Sequence, residues 1–410
     1  MHSSLNKEIM EILFKVQDFF ATQILEEEDR VIITAERTGG HICPKCGNPC
    51  GQRKDGSKQE VLIGFLLGRP IYCRMKVWRV ICSDCGVKTE QNGISTGKKR
   101  YSDAVANNVI SYTELMDNAS AGMLLGLSQS SIYRIDKDKL GELLDVYKKH
   151  IPGAKRISVD EFAKRKGHDY ATTVVDYDAG TVMWLEEGRK TENLEKAYEI
   201  ISDSITKVTQ VSIDLWPAYE NATRKKLPQA KIVYDRFHIV RLLNRAVDEE
   251  RREYQQNLSD EERKTMKKNA RWVLLKRDAS LTENNRNYLT ALAEKNHTLY
   301  LMYLLKESFL AIFDAEKKRE QAALEIRDWI NTVKTTDYAK FKRFARSISA
   351  RLENILNWFD CPISNGKMEG INNKIKTVMR RAYGYKDFDY MRMKILQKCG
   401  TLMNMRFHTF

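Results

Sequence analysis

Two stretches decide the reading: Ile157-Ser158-Val159-Asp160-Glu161-Phe162-Ala163 and Val208-Thr209-Gln210-Val211-Ser212-Ile213-Asp214. Both are short apolar, β-branched runs of strand length, and each carries or ends in a carboxylate. Between them, Tyr170-Ala171-Thr172-Thr173-Val174-Val175-Asp176 and Val182-Met183-Trp184-Leu185 also read as strands. A helix across 192–204 follows these, with Leu194, Ala197, Tyr198 and Ile201 on one side. Beyond the second stretch, Ala230-Lys231-Ile232-Val233-Tyr234-Asp235 is a further strand that ends in Asp.

Three strands, a helix, a strand, a helix and a strand is the element order of a ribonuclease-H-like α/β sheet. Asp160 within the first strand and Asp214 at the end of the fourth sit where that fold keeps two metal-binding carboxylates. This region opens after Ile151-Pro152-Gly153, where the chain changes character. Residues 236–360 read as almost wholly helical. A last helix carries Met368, Ile371, Ile375, Val378 and Ala382 at alternating spacings of three and four, one buried face. Glu369, Asn372, Asn373, Lys376 and Arg380 occupy the other face, a carboxylate and two amides beside two cations.

The chain has 410 residues, room for two to four domains at about 100–200 residues each. With 42% hydrophobic residues and only 7 Pro, a disordered or collagen-like chain is excluded. Lys and Arg number 69 against 55 Asp and Glu, a net charge of +14 that calls for a polyanion or a membrane surface. No run approaches the roughly 18 apolar residues of a membrane span, and the N-terminus has charges within its apolar pattern, unlike a signal peptide. The expectation is a cytoplasmic protein with no membrane partner that binds nucleic acid.

Six of the eight Cys lie within 43–85. Cys43-Pro44-Lys45-Cys46-Gly47 and Cys82-Ser83-Asp84-Cys85-Gly86 have the spacing of two zinc knuckles, in which a Gly after the second Cys lets the backbone fold under the metal. Together they supply four ligands for a structural Zn²⁺ in a ribbon over about 40–90. Cys50, Cys73 and His41 are spare ligand candidates, or more simply reduced thiols and an exposed imidazole. From Arg69 to Val80 the pattern alternates: Ile71, Cys73, Met75 and Val77 share one face, and Tyr72, Arg74, Lys76 and Trp78 the other. That second face, Arg74 and Lys76 above all, suits phosphate contact and base stacking, or equally a half-exposed strand surface.

Residues 101–150 read as a helix-turn-helix domain. Ser102 caps a helix, a short helix ends at Gly126, Leu127 plugs the turn and Ser128 caps the next helix. Gln129, Ser130, Ser131 and Arg134 lie outward near the start of that last helix, where they can reach base edges or phosphate. Plain helical bundles carry the same pattern.

Taken together, several blocks resemble one family. They are Cys43-Pro44-Lys45-Cys46-Gly47, Leu67-Gly68-Arg69-Pro70, Ser158-Val159-Asp160-Glu161, Asp214-Leu215-Trp216-Pro217-Ala218-Tyr219 and Asp235-Arg236-Phe237-His238. Ser364-Asn365-Gly366-Lys367-Met368-Glu369-Gly370-Ile371-Asn372-Asn373 and Arg381-Ala382-Tyr383-Gly384-Tyr385 complete the set. In this order, from about residue 26 to about residue 395, the chain resembles the ISL-three family of bacterial insertion-sequence transposases. The first 25 residues match nothing in it.

The resemblance implies a DDE triad of Asp160, Asp214 and Glu369, with the helical region as an insertion between the second Asp and the Glu. The implied organisation is a multidomain α+β chain: an N-terminal region 1–100 with the zinc ribbon and a helix-turn-helix domain 101–150, then a ribonuclease-H-like catalytic domain 151–240 plus 361–410, interrupted by an all-α insertion 241–360. The triad would hold Mg²⁺ or Mn²⁺, hard ions suited to oxygen ligands. The chemistry implied is cleavage at terminal inverted repeats of double-stranded DNA, then strand transfer into target DNA on the nucleoid, by a homodimer or larger assembly. Asp235 and His238 form a D-x-x-H pair that either supports the carboxylates or simply caps and packs a helix. Lys376 and Arg380 read as DNA contacts or as a solvated face. A DNA-binding regulator without catalysis, or a nuclease that cuts without joining, are the competing readings.

Overall fold

The computed structural model describes residues 2–95, 98–165, 167, 169–259, 270–314, 317–362 and 365–408. Chain contacts divide it into two units, 1–150 with 375–410, and 151–374.

In the second unit, β8 (Arg156–Ala163), β9 (Tyr170–Asp176), β10 (Thr181–Glu187), β11 (Gln210–Ile213) and β12 (Lys231–Tyr234) form a five-stranded sheet in the order β10-β9-β8-β11-β12. The first three strands pair antiparallel, and β8, β11 and β12 are parallel neighbours. Their runs of buried residues, such as Val211-Ser212-Ile213, are those of strands covered on both faces. The elements follow the order expected from sequence. The helix expected across 192–204 is α5 (Thr191–Ile200), followed by a 3₁₀ turn at Ser202–Ser204.

Pro217 opens α6 (Pro217–Lys226) at a position where its missing N–H costs nothing. The Tyr219 hydroxyl meets Thr172 Oγ1 of β9 at 2.9 Å, and Tyr198 of α5 meets Thr223 of α6 at 3.0 Å, fastening both helices to the sheet. Asp235 caps α7 (Arg236–Gln256), accepting from the Phe237 N–H at 2.8 Å. The described residues from 236 to 360 are helical apart from short connections, and they have their own aromatic core of Phe309, Trp329 and Phe344. Residues 260–269 of the expected insertion lie outside the described residues.

In the first unit, β1 (Phe19–Glu26), β2 (Val31–Arg37), β5 (Gln52–Leu66), β6 (Arg69–Cys82) and β7 (Gly86–Thr89) form one sheet, while β3 (His41–Ile42) and β4 (Pro49–Cys50) pair apart. Leu67 and Gly68, both at positive φ, make the two-residue turn between β5 and β6. The β6 alternation is as read: Ile71, Cys73, Met75 and Val77 are buried with Met10, Val31 and Val61. Cys73 is fully buried there, its thiol pushed up to about 12 by desolvation.

Helices α2 (Asp103–Leu115), α3 (Asn118–Leu125) and α4 (Gln129–Tyr147) share a core with Leu62 and Tyr101. Gly126 ends α3 in the left-handed region at φ 64°. Its Cα approaches the Gly68 carbonyl so closely that a Cβ would lie 2.4 Å from that oxygen. Ser128 caps α4 by accepting from the Ser131 N–H. The helix Phe388–Cys399 packs into this unit through a buried polar cluster: Lys394 Nζ bonds Asp136 at 3.1 Å and the Thr113 carbonyl at 3.0 Å, and the Tyr390 hydroxyl donates to Asp136 at 2.5 Å.

Candidate active site and metal centre

Strand register brings Asp160 and Asp214 to one level. Gln210 pairs with Arg156 and with Lys231, and the pairings run on in step along parallel strands. Continued to the strand ends, the same steps align Asp160, Asp214 and Asp235, the last held by its own N–H to the Ile213 carbonyl at 2.9 Å. The carboxyl ends of parallel strands are where open α/β sheets place their ligands.

Each carboxylate is held locally. Asp160 Oδ1 accepts from the Glu161 N–H at 2.8 Å, and Oδ2 accepts from Asn372 Nδ2 at 2.6 Å. Asp214 Oδ1 accepts from the Trp216 N–H at 3.0 Å. Burial raises the Asp214 carboxyl to about 6; His238 and the Trp216 N–H oppose the rise, and the neighbouring Glu161 and Asp160 charges add to it. His238 lies in the first turn of α7, its Nε2 3.7 Å from Asp235, and its Nδ1 is buried with no hydrogen-bond partner among the described residues.

Glu369 lies exposed on the helix Asn365–Arg381, one turn before Asn372. Positions three apart share a helix face, so the side that offers Asn372 to Asp160 also carries Glu369. Lys367 reaches the Tyr177 and Asp178 carbonyls at 3.4 and 3.3 Å. Ser364 of the same motif lies outside the described residues. Asn372 was read only as part of a polar face, but it is the side chain that grips Asp160. Its position three after Glu369 was the available signal. Its Oδ1 is buried and has no partner among the described residues; carboxylate and amide oxygens are the donors that a hard divalent ion takes, but among the described residues Asp160, Asp214 and Glu369 do not close into one ligand cluster.

The four knuckle thiols, Cys43, Cys46, Cys82 and Cys85, lie within 4.8 Å of one another. Gly47 and Gly86 turn the backbone at φ 76° and 69°, as a chain folding under a metal requires. Amides of Cys46 and Lys45 lower the Cys43 thiol to about 6, which favours the thiolate a soft metal needs. Val80 and Trp78 pack on the quartet. Cys50 lies beside it with its Sγ 3.7 Å from the Asn48 carbonyl. His41 instead pairs with Glu90 at 2.6 Å.

A family model described as Transposase, of the DDE_Tnp_ISL3 group, matches residues 157–395. The chain belongs to this transposase family. It is 27% identical over 358 residues to the transposase for insertion sequence element IS1001 of Bordetella parapertussis, covering 86% of this chain and 87% of that one. It is also 27% identical over 255 residues to the transposase for insertion sequence element IS1557 of Mycobacterium tuberculosis, 57% of each. Among solved structures, the Drosophila P element transposase strand transfer complex is similar at a TM-score of 0.41 and 9% identity, over 76% of this chain and 95% of that one.

The transposase presents its expected DNA contacts unevenly. Arg74 is half-buried and bonded to Glu60 of β5 at 2.6 and 2.8 Å, and Tyr72 packs against the core of α2–α4. Of that face, Lys76 is exposed, its Nζ 3.8 Å from the Trp78 ring centroid. Gln129, Ser130 and Arg134 are exposed, and Ser131 is half-buried in the α4 cap. Arg134 lines a cavity of about 610 Å³ with Lys98, Lys99 and Arg100, cations the sequence reading did not single out. Lys376 and Arg380 are exposed on their helix. Among the described residues no helix is long and apolar enough to cross a membrane.

Proposed function

We propose that this transposase cuts double-stranded DNA at the terminal inverted repeats of its insertion sequence and joins the freed ends to target DNA, with Asp160, Asp214 and Glu369 as catalytic carboxylates. The observation that carries the reading is the level placement of Asp160 and Asp214 on adjacent parallel strands, with Asn372, one turn from Glu369, bonded to Asp160. The strand order β10-β9-β8-β11-β12 supports a ribonuclease-H-like sheet, with the helical region inserted before the Glu369 helix. Asp160, Asp214 and Glu369 would hold Mg²⁺ or Mn²⁺, which supplies an activated water or 3′-hydroxyl and charge stabilisation at the leaving oxygen.

The chain's own groups hold this arrangement in place. Asn372 fixes the rotamer of Asp160, and the Trp216 N–H fixes Asp214. Asp235 caps α7 and thereby sets His238, whose free Nδ1 can donate to a DNA phosphate or to a carboxylate. The Cys43, Cys46, Cys82 and Cys85 quartet holds a structural Zn²⁺ in a ribbon, and α2–α4 act as a helix-turn-helix reading the repeats through Gln129, Ser130, Ser131 and Arg134. Lys76, Lys376 and Arg380 grip the phosphate backbone; Arg74, neutralised by Glu60, contributes less. The enzyme works in the cytoplasm on the nucleoid, as a homodimer or larger assembly, because two ends must be paired.

The test is an excision and joining assay with Mg²⁺ on DNA carrying the element ends. Asp160→Asn, Asp214→Asn and Glu369→Gln are each expected to lose cleavage and joining to background while keeping end binding in a gel shift. Full cleavage by any one removes that residue from the site. End binding by the wild type without any cleavage would leave a non-catalytic regulator.

A further inference from the structure

We propose that a cavity bordered by Trp216, two residues past Asp214, receives one unpaired nucleobase, extruded from the DNA next to the bond that is cut. The proposal rests on the assignment of Asp160 and Asp214 to the cleavage site. The cavity measures about 530 Å³ and is lined by Trp216, Tyr170, Arg189, Lys190 and Asn193. All of its lining residues belong to the second unit.

Trp216 stands two residues past Asp214 and is 41% exposed, a large aromatic surface facing solvent near a half-buried carboxylate. Its orientation is set at both ends. Its backbone N–H donates to Asp214 Oδ1 at 3.0 Å, and its indole Nε1 donates to the Arg189 carbonyl at 3.2 Å. These two hydrogen bonds hold the ring in this orientation. The Arg189 guanidinium lies 4.1 Å from the Tyr170 ring centroid and 5.2 Å from that of Trp216, and it pairs with Glu161, the neighbour of Asp160, at 3.2 Å.

Aromatic faces with an interleaved arginine are a platform for a nucleobase, since every base has a π-face. Lys190, exposed at the rim with no ion pair among the described residues, favours a polyanion's approach. Asn193, also in the lining, supplies an amide for a base edge; its Oδ1 already accepts from the Lys190 N–H at 2.9 Å, so its donor is the amide nitrogen. The volume falls within the roughly 300–1,000 Å³ of small-molecule sites. A scissile phosphate must approach half-buried carboxylates at the strand ends, which favours a deformed duplex. Unstacking one neighbouring base frees the backbone to do so, and stacking on Trp216 offsets the cost of extrusion.

The test measures cleavage of DNA carrying the element end, intact or with an abasic nucleotide placed in turn at each position flanking the cut. Trp216→Ala is expected to cut intact DNA about ten- to a hundredfold more slowly at unchanged end binding, and Trp216→Phe to stay within about threefold of wild type. At one position the abasic nucleotide removes the base to be extruded and brings Trp216→Ala within about threefold of wild type on the same DNA. Wild-type cutting of intact DNA by Trp216→Ala, or a defect that no abasic position relieves, overturns the proposal. Asp214→Asn is run in parallel: if it still cuts, the cleavage-site assignment falls instead.

Discussion

Asp214 concentrates the conflict between stability and function at a single residue. Its carboxyl sits at about 6 in the folded protein against an ordinary value of 3.8, chiefly because it is buried. The folded state thus holds the proton more tightly than the unfolded chain. The resulting stabilisation is fully present below pH 3.8 and is lost as pH rises through about 6. Asp214→Asn, similar in shape and uncharged, is therefore expected to raise metal-free stability at pH 7.5 by about 1–2 kcal/mol, discounted for residual solvent screening. The gain should shrink towards zero near pH 4. Denaturant titrations of both proteins at several pH values check this; a variant less stable than wild type at pH 7.5 would contradict it. The position of Asp214 was legible, because a β-branched run ending in Asp marks a strand end. Its burial was not, since that depends on α6, α7 and the strands on either side.

At the scale of elements, the knuckles were readable in detail and the strand between them only in part. Cys-x-x-Cys-Gly encodes a local turn, and Gly47 and Gly86 both adopt the positive φ it needs. The basic face of β6 depended on a partner that local patterning cannot see. Glu60, fourteen residues earlier on β5, sits directly opposite Arg74 and neutralises it. Near its end β6 also turns its other face inward, so that Val80 and Cys82 are buried with the quartet. If the quartet holds zinc, the purified protein releases one Zn²⁺ per chain to a thiol-blocking mercurial, and Cys43→Ser or Cys82→Ser abolishes the release. Hydrogen exchange of residues 41–50 and 82–89 should then rise sharply on chelation, while β8–β12 keep their protection. Unchanged exchange around the knuckles on metal removal would argue against a structural metal.

For the whole molecule, the deciding fact is that the chain returns to its first unit. Asp136 and Lys394 are almost wholly buried and face each other at 3.1 Å, with Tyr390 and Thr113 completing the network. Removing one partner strands the other charge in the interior, so Asp136→Ala should destabilise the first unit by about 3–5 kcal/mol. Asp136→Leu combined with Lys394→Met should recover much of that loss, because neither charge then remains; thermal denaturation of the full chain reads both. A double variant no more stable than Asp136→Ala would refute the account.

What the sequence alone determined was local: strand and helix order from 156 to 235, the caps at Ser102, Ser128 and Asp235, both knuckle turns, and motifs specific enough to indicate the family. These rest on periodicity, φ preferences and capping, which act within a few residues. The tertiary structure alone decided that Asn372 grips Asp160, that Glu60 pairs with Arg74, that Trp216 borders an open cavity, and that 375–410 join the first unit. Each follows from burial and pairing between segments 14 to 258 residues apart, and local patterning carries no information about which partner a buried charge will find.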